Sequence, residues 1–287
     1  MDRYDIAVIG TGPAGVSAAI TAKIRNKNIL LLGSRKLSDK MTKAERIDNY
    51  PGLPGISGRE LAERMTAHLD SLGISVTEGQ VGAVYTYGDR FVLQIGEETA
   101  EAAAVILAGG VVLGKPLPGE EEFLGRGVSY CATCDGRLYR GKTVAVIAQS
   151  AEAPEEADYL AEIVGQVLYF PGKTAGRPKD PSVTVLDEIP TGIRGGFKAD
   201  TLVTDRGEHS VDCVFILKDA VPPGSLVPGV ETDGPHVRVG PRMETNLPGL
   251  FACGDIAGRP YQYIKAAGQG NVAALSAVAY LNQLGKH

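Results

Sequence analysis

A glycine-rich turn between a strand and a helix limits the fold of this chain more than any other feature. Tyr4 to Ile9 has the pattern of a short strand, and an alanine-rich helix ending near Lys27 follows the turn Gly10-Thr11-Gly12-Pro13-Ala14-Gly15. In this setting the first glycine makes a tight turn, the second lets backbone amides approach a pyrophosphate, and the third packs the helix on the strand. The alternative is an ordinary glycine-rich turn. The strand before it and the helix after it favour dinucleotide binding.

The same strand–turn–helix pattern returns in the middle of the chain. Thr143 to Ile147 is typical of a strand, Glu155 to Val164 of a helix, and Val167 to Phe170 of the next strand. We therefore predict an α/β protein with two Rossmann-like domains, each a three-layer ββα arrangement. The predicted boundaries are 1–114 and 243–287 for a first domain that is split in sequence, and 115–242 for the domain inserted into it.

Cys131 and Cys134 form a Cys-x-x-Cys pair that Asp135 follows directly. Such a pair can close a disulfide or share a metal, and a helix N-terminus favours its thiolate. Zinc takes four ligands, whereas Cys213 and Cys253 stand singly and the four histidines are scattered. We therefore predict a redox-active pair and no metal site. Cys213 and Cys253 are expected to be buried packing residues.

Composition excludes several classes of protein. The net charge of -5 gives no general attraction to nucleic acid or to anionic lipid. The apolar fraction of 44% is typical of soluble globular proteins, and the longest apolar run, Ala102 to Leu113, is too short to span a bilayer. The first residues show no signal peptide, and a Cys-x-x-Cys pair without other disulfide spacing predicts a cytoplasmic location.

Two charged stretches are predicted to be solvated. Glu120–Glu122 follows a linker rich in glycine and proline and is typical of an acidic turn. The run from Arg35 to Arg46 carries five basic and two acidic residues and is typical of an exposed loop. A docking surface for an acidic partner is the alternative for this basic run.

Together, these motifs resemble the low-molecular-weight thioredoxin reductases over the full length of the chain. The residues that carry the resemblance are Gly10–Gly15, Asn49-Tyr50-Pro51-Gly52, Cys131-Ala132-Thr133-Cys134-Asp135 and Gly254-Asp255. The resemblance implies a homodimer in which a split FAD domain surrounds a domain with the redox disulfide. It also implies that Cys134 lies nearest the flavin and that Cys131 attacks the thioredoxin disulfide. Asp135 is then the proton donor and acceptor, or alternatively a carboxylate that only complements the helix dipole.

The resemblance places FAD at the turns and helix starts of the first and last segments. Strand Ile29 to Leu32 lacks the acidic residue that commonly binds the ribose, so Ser34 or the backbone is expected there. Gly254 allows close approach, and Asp255 is expected to accept hydrogen bonds from the ribityl hydroxyls. The candidate cofactor-binding residues are Gly10, Gly12, Pro13, Ala14, Gly15, Ser34, Lys40, Asn49, Val81, Ala108, Gly109, Gly254, Asp255, Gln262, Tyr263 and Ile264.

The inserted domain departs from the family where NADPH normally binds. The family has a second glycine fingerprint and a His-Arg-Arg cluster, but here the first turn reads Ala148-Gln149-Ser150-Ala151-Glu152-Ala153 and the second reads Pro171-Gly172-Lys173. Glu155 and Glu156 also lie in the first turn of the helix, where they would repel a pyrophosphate. Lys173 and Arg177 remain as cations. These changes predict that capture of NADPH is lost.

A disulfide reductase without a nicotinamide needs another electron donor. The same departures, together with the run Arg259-Pro260-Tyr261-Gln262-Tyr263, resemble the ferredoxin-linked flavoprotein thioredoxin reductases of anaerobic bacteria. This resemblance implies ferredoxin as donor and thioredoxin as acceptor. Three alternatives stay open: an NADPH-dependent thioredoxin reductase with a divergent site, an FAD thiol oxidase, and a non-enzymatic redox flavoprotein.

Overall fold

The computed structural model describes most of the chain. The described residues are 3–42, 44–111, 116–130, 132–172, 175–218 and 222–284, with all of their side chains except those of Asp39 and Cys134.

The strands are numbered in chain order. They are β1 (Arg3–Ile9), β2 (Ile29–Leu32), β3 (Val76–Thr77), β4 (Val81–Tyr87), β5 (Arg90–Ile95), β6 (Glu98–Leu107), β7 (Val128–Ser129), β8 (Thr143–Gln149), β9 (Gln166–Phe170), β10 (Thr184–Val185), β11 (Pro190–Gly195), β12 (Ala199–Thr204), β13 (Glu208–Ser210), β14 (Cys213–Lys218), β15 (Thr232–Asp233), β16 (His236–Val237) and β17 (Leu250–Ala252).

The helices are numbered in the same way. They are α1 (Pro13–Ile24), α2 (Asp39–Thr42), α3 (Gly58–Ser71), α4 (Ala132–Asp135), α5 (Ala153–Ala161), α6 (Pro223–Leu226) and α7 (Tyr263–Leu284), with 3₁₀ turns at Gly136–Tyr139 and Gly254–Ala257. In the described ranges, none of these helices combines the length and the apolar composition needed to cross a lipid bilayer.

The first compact unit comprises residues 1–111 and 222–287. Its sheet runs in the order β3-β2-β1-β6-β5-β4, and β17 pairs in parallel with the end of β6. β1, β2, β3 and β6 are parallel, whereas β4 and β5 extend the sheet as an antiparallel hairpin. Because the parallel strands are buried on both faces, they carry continuous apolar runs rather than an alternating pattern.

Helices α1 and α7 pack against each other at a point where both carry small residues. A Cβ atom added at Gly270 would lie 2.0 Å from the carbonyl oxygen of Ala14. The two helix backbones therefore meet directly, and this crossing joins the amino-terminal segment to the carboxy-terminal one. Helix α3 begins with a side-chain cap, since the Ser57 hydroxyl accepts a hydrogen bond from the Glu60 amide.

The second compact unit comprises residues 112–221. Its parallel sheet has the order β10-β9-β8-β14-β7, with α5 packed against β8 and β9. A separate antiparallel sheet, β11-β12-β13, follows in the chain. The predicted α/β class with two Rossmann-like units, one of them split, is confirmed.

The two units and the predicted domains differ in one stretch. Residues 222–242, which include α6 and the β15–β16 hairpin, group with the first unit. The predicted boundaries at 114 and 242 stay predictions, because compactness alone does not define a domain that folds by itself.

Candidate functional site

The glycines of the first turn serve different purposes. Gly10 has a φ of +117°, and an added Cβ would lie 2.3 Å from the carbonyl oxygen of Ala108. At Gly15 an added Cβ would lie 1.8 Å from the carbonyl oxygen of Gly10. These two glycines are therefore required by the packing of β1, α1 and the end of β6. The turn also brings Ala108 and Gly109 next to Gly10, as the sequence predicts for the dinucleotide site.

Gly12 is not required by packing inside the protein. Among the residues that the structure describes, a Cβ at Gly12 would meet only the Ser38 Cβ, at 3.8 Å. Gly12 is the N-cap of α1, Pro13 is its first residue, and the first turn carries no acidic side chain. This helix end offers backbone amides and a positive dipole beside open space, which fits the diphosphate of a dinucleotide.

The second glycine loop, after β17, is held by two side chains of α7. Gly254 lies against α1, where an added Cβ would be 2.8 Å from the Ala14 Cβ. The Gln269 Oε1 accepts a hydrogen bond from the Gly254 amide at 3.0 Å. Lys265 Nζ donates to the carbonyl oxygens of Gly254, at 2.8 Å, and Gly258, at 2.6 Å. Burial lowers the pKa of Lys265. Neither Lys265 nor Gln269 stands in a recognisable motif, so the sequence did not indicate them.

Residues that are far apart in sequence meet beside Asp255. Lys40 Nζ lies 2.6 Å from Asp255 Oδ2, and the Asp255 side chain is 16% exposed. Asn49 Nδ2 donates to Gln262 Oε1 at 2.5 Å, and the Tyr263 hydroxyl donates to the Lys40 carbonyl oxygen at 3.2 Å. Candidate residues from the first and last segments thus form one polar cluster in the first unit.

The other candidate cofactor residues occupy the same unit. Ser34 follows β2, and its hydroxyl accepts a hydrogen bond from the Lys36 amide at 3.2 Å. Val81 begins β4, is buried, and pairs with Ile95. Ile264 is the second residue of α7 and is exposed. The contacts of these residues with a cofactor stay predictions.

The basic run from Arg35 to Arg46 only partly matches the predicted exposed loop. It contains α2, and Leu37 and Met41 are buried in the core of the first unit. Arg35, Lys40 and Arg46 have acidic partners, which are Glu78, Asp255 and Asp48. Much of the positive charge of this run is therefore already compensated.

The predicted redox pair is only partly described by the structure, because Cys131 and the side chain of Cys134 lie outside the described residues. Helix α4 begins at Ala132, directly after Cys131. The Ser129 hydroxyl donates a hydrogen bond to Asp135 Oδ2 at 2.7 Å. This bond ties the carboxylate that follows the pair to the strand that precedes it.

A second carboxyl group, on α5, reaches the start of α4. The half-buried Glu156 side chain accepts a hydrogen bond from the backbone N–H of Ala132. Burial raises the pKa of Glu156 to about 7; repulsion from Glu152 acts in the same direction, and the Ala132 hydrogen bond opposes it. Glu156 was singled out in the sequence only as a charge that would repel a pyrophosphate.

The two remaining cysteines have the features of packing residues. Cys213 and Cys253 are free and buried. Burial raises the pKa of each thiol to about 12. Because the thiolate is the reactive form, both thiols are inert at neutral pH.

The turn after β8 has a side chain where the turn after β1 has Gly12. This residue is Ser150, and it is buried. An added Cβ at Gly172 would lie 2.0 Å from the Ala148 carbonyl oxygen, and one at Gly176 would lie 3.6 Å from the Pro154 Cγ. The segment after β9 therefore lies against the end of β8 and the start of α5.

Of the two cations expected near this turn, Lys173 and Arg177, only Arg177 lies among the described residues. Arg177 Nη2 lies 2.9 and 3.0 Å from the two carboxylate oxygens of Asp187, so its charge is compensated. Lys173 lies outside the described residues. In the described part of this region, the positive charge that would hold a phosphate is thus paired within the protein.

A buried ion pair joins Glu120, which lies shortly before the predicted redox pair in the sequence, to Lys218 at the end of β14. Glu120 Oε1 binds Lys218 Nζ and accepts a hydrogen bond from the Tyr130 hydroxyl at 2.8 Å, while Glu120 Oε2 accepts one from the Leu117 amide at 2.8 Å. The Glu120 side chain is 2% exposed and the Lys218 side chain 11%. The prediction of a solvated turn is therefore wrong for Glu120. The Glu120 carboxylate points inward because three donors bind it there: the Lys218 ammonium, the Tyr130 hydroxyl and the Leu117 amide.

Comparison with known proteins agrees with this geometry. Residues 4–191 match the family model described as pyridine nucleotide-disulphide oxidoreductase. Two solved structures of a ferredoxin-flavin thioredoxin reductase from Clostridium acetobutylicum are 49% and 44% identical, with TM-scores of 0.94 and 0.91, and each match covers 100% of both chains. The thioredoxin reductase of Bacillus subtilis is 30% identical over 98% of this chain and 96% of its own length.

These relatives show the family of the chain. Together with the open glycine turn at Gly12, they also indicate its cofactor. Thioredoxin reductases of this group are FAD-binding flavoproteins, and the first unit has the backbone cradle that a dinucleotide needs. The chain therefore belongs to the pyridine nucleotide-disulphide oxidoreductase family, within its FAD-binding thioredoxin reductases.

Proposed function

We propose that this protein is an FAD-dependent thioredoxin reductase that takes its electrons from reduced ferredoxin and not from NADPH. The observation that supports this most is the turn after β8, where the buried Ser150 stands in the place that Gly12 has in the first turn. The similar Clostridium acetobutylicum proteins are described as ferredoxin-flavin thioredoxin reductases. The chain thus has one turn with a glycine beside open space, for FAD, and one in which a side chain takes the place of that glycine.

Electrostatics supports the loss of the second nucleotide site. Glu155 and Glu156 lie in the first turn of α5, and Glu152 is its N-cap. A like-charge pair at about 4 Å costs up to about 4 kcal/mol at the effective dielectric constant of a protein surface. Even half of this energy weakens binding more than tenfold. A pyrophosphate at this helix end would meet the negative charges of Glu152 and Glu155, which are both exposed there.

In this proposal the redox pair of the second unit carries the exchange chemistry. When bound, FAD collects electrons one at a time and supplies them in pairs. Cys134 is assigned to the exchange with the flavin, and the reduced pair gives up its two electrons as Cys131 attacks the thioredoxin disulfide. The pair returns to a disulfide and thioredoxin becomes a dithiol. Asp135, held by Ser129, takes and returns the thiol protons.

The candidate residues of the first unit are proposed to hold FAD in two groups. The glycine turn at Gly12 faces the diphosphate, and the cluster around Asp255 faces the ribityl chain. Lys40 orients Asp255 through its ion pair. The domain boundaries, the homodimer and the cytoplasmic location stay predictions alongside these roles.

The donor is tested by anaerobic reduction of the holoenzyme in matched arms. Reduced ferredoxin is expected to bleach the FAD absorbance and to support reduction of thioredoxin, whereas NADPH at the same number of electron equivalents supports neither. The reason is the Ser150 side chain in the turn after β8 and the acidic start of α5. Bleaching by NADPH at the rate of turnover would instead show a divergent but working nucleotide site. Oxygen uptake with a dithiol and no ferredoxin would show a thiol oxidase.

The assignment of Gly12 is tested by Gly12→Ala. Among the described residues other than its chain neighbours, an added methyl group meets no atom closer than 3.8 Å, so the fold is expected to tolerate it. It would displace the diphosphate from one or two amides, and we expect roughly ten- to hundredfold weaker FAD binding, measured by titration of the apoprotein.

A matched control is Gly224→Ala, since that glycine also has open space around it. This variant is expected to bind FAD as the wild type does. Unchanged FAD affinity in Gly12→Ala would contradict the placement of the diphosphate.

A further inference from the structure

The helix that carries the redox pair is bonded to a carboxyl group outside the Cys-x-x-Cys-Asp motif. The amide that Glu156 accepts from belongs to the peptide bond between Cys131 and Ala132. The 3₁₀ turn that continues α4 packs closely on α5, since an added Cβ at Gly136 would lie 2.8 Å from the Leu160 Cδ2. The Glu156 carboxyl group is therefore fixed at the peptide bond of Cys131.

The surroundings of Glu156 make its protonation sensitive near neutral pH. Burial and the Glu152 carboxylate disfavour the ionised form, and the Ala132 hydrogen bond favours it, which gives a pKa of about 7. The titratable and charged groups on α5, on the residue before it, on α4 and on the 3₁₀ turn after α4 are Glu152, Glu155, Asp158, Tyr159, Cys134, Asp135, Arg137 and Tyr139. β9 and the segment after it also pack against α5 and add Tyr169, Lys179 and Asp180. Among the described residues, no cation contributes to the pKa of Glu156, so none fixes it as a carboxylate.

We propose that Glu156 is a positioning residue for the redox pair: it holds the first turn of α4, and its charge sets how readily the Cys131–Cys134 dithiol forms a thiolate. An ionised carboxyl group beside the pair opposes a second negative charge on sulfur, and a protonated one does not. Proton uptake by Glu156 is thereby coupled to formation of the attacking thiolate. This proposal rests on the assignment of Cys131 and Cys134 as the redox pair, but not on the identity of the electron donor.

The test measures thiolate formation directly in the holoenzyme. The protein is reduced chemically, and the rate of alkylation of Cys131 and Cys134 by iodoacetamide is followed between pH 5.5 and 9 by mass spectrometry, at roughly half-unit steps. Glu156→Gln keeps an oxygen that can accept the Ala132 hydrogen bond but removes the charge. Its alkylation profile is expected to shift to lower pH than that of the wild type.

The size of the effect follows from two opposing factors. A fall of one unit in the thiol pKa gives about ten times more thiolate at a pH below that pKa, while the lower basicity makes each thiolate less nucleophilic. We therefore expect alkylation at pH 8, where Glu156 of the wild type is ionised, to be about threefold faster in Glu156→Gln. At pH 5.5, where Glu156 is protonated, the two rates should converge.

Glu155→Gln is the matched control, because Glu155 is exposed on the same helix turn. It is expected to leave the profile unchanged. Identical profiles for Glu156→Gln and the wild type would overturn the proposal. If Cys131 and Cys134 did not interconvert between disulfide and dithiol at all, the proposed function would fail instead, and the count of alkylated thiols before and after reduction shows this separately.

A measurement on the wild type decides the case if Glu156→Gln does not fold. Infrared difference spectra between the oxidised and reduced protein report protonated carboxyl groups. A carboxyl band that changes on reduction at pH 7, but not at pH 9, supports the coupling. The same spectrum at both pH values would overturn it.

Discussion

Cys134→Ser is expected to abolish thioredoxin reduction while FAD stays bound. Disulfide exchange needs a thiolate, and a serine hydroxyl cannot replace it near neutral pH, so the loss should be on the order of 10³-fold or more. The cofactor cluster of the first unit does not include this residue, and the FAD absorbance and the FAD content should equal those of the wild type. The measurement is the steady-state rate of thioredoxin reduction with ferredoxin as donor.

Cys213→Ser supplies the control for this variant. Its thiol is buried, with a pKa raised by burial to about 12, so it carries no thiolate that the reaction could use. The same chemical change at Cys213 should leave turnover intact. If Cys134→Ser kept its activity, or if Cys213→Ser lost it with FAD still bound, the exchange centre would have been placed on the wrong cysteines.

The nucleotide-binding framework could be predicted from the sequence because local rules act there. In the sequence, the turn Gly10–Gly15 directly follows a strand and leads directly into a helix, and Gly254-Asp255 follows a buried strand. Gly10, Gly15 and Gly254 are each explained by a steric contact within the first unit, and Gly12 by the open space beside the start of α1. Such signals do not depend on the rest of the chain.

Side chains whose role depends on tertiary contacts could not be predicted. Lys265 and Gln269 have ordinary helical positions, and only the packing of α7 brings them to the Gly254 loop. Glu120 stands among three successive glutamates, a pattern that is typical of a solvated turn. Its burial depends on Lys218, which lies 98 residues away.

The antiparallel sheet of the second unit shows the same limit for backbone structure. Strand β11 contains two glycines and pairs with β12 through register shifts, so neither its composition nor its alternation was typical of a strand. In the first unit, β6 begins at Glu98 because the β5 hairpin pairs with its polar half. In the sequence, only the apolar run that begins at Ala102 stands out in this strand.

The buried pair of Glu120 and Lys218 carries the largest expected effect on stability. Glu120→Ala would leave the Lys218 ammonium in a site where it is 11% exposed and without its carboxylate. Breaking a buried ion pair from one side typically costs 3–5 kcal/mol, and we expect a loss of about this size in the free energy of unfolding of the second unit. The Tyr130 hydroxyl and the Leu117 amide would lose their acceptor as well.

Unfolding by urea, followed by far-ultraviolet circular dichroism with FAD fluorescence as a separate report on the first unit, measures this loss. The chain has no tryptophan, so the flavin signal is free of that overlap. Glu121→Ala is the control, since this neighbouring carboxylate is exposed, and its effect should stay within about 0.5 kcal/mol.

The double variant Glu120→Ala with Lys218→Met separates the ion pair from the rest of the site. If the main penalty in Glu120→Ala is an uncompensated lysine, then removing the lysine as well should recover about 1–3 kcal/mol of it. If the stability losses of Glu120→Ala and Lys218→Met alone add up to the loss of the double variant, Glu120 acts through Tyr130 and Leu117 alone. Tyr130 donates to Glu120 and directly precedes Cys131 in the sequence. If the double variant recovers stability but not thioredoxin reduction, the charge pair also orders the approach to the redox centre.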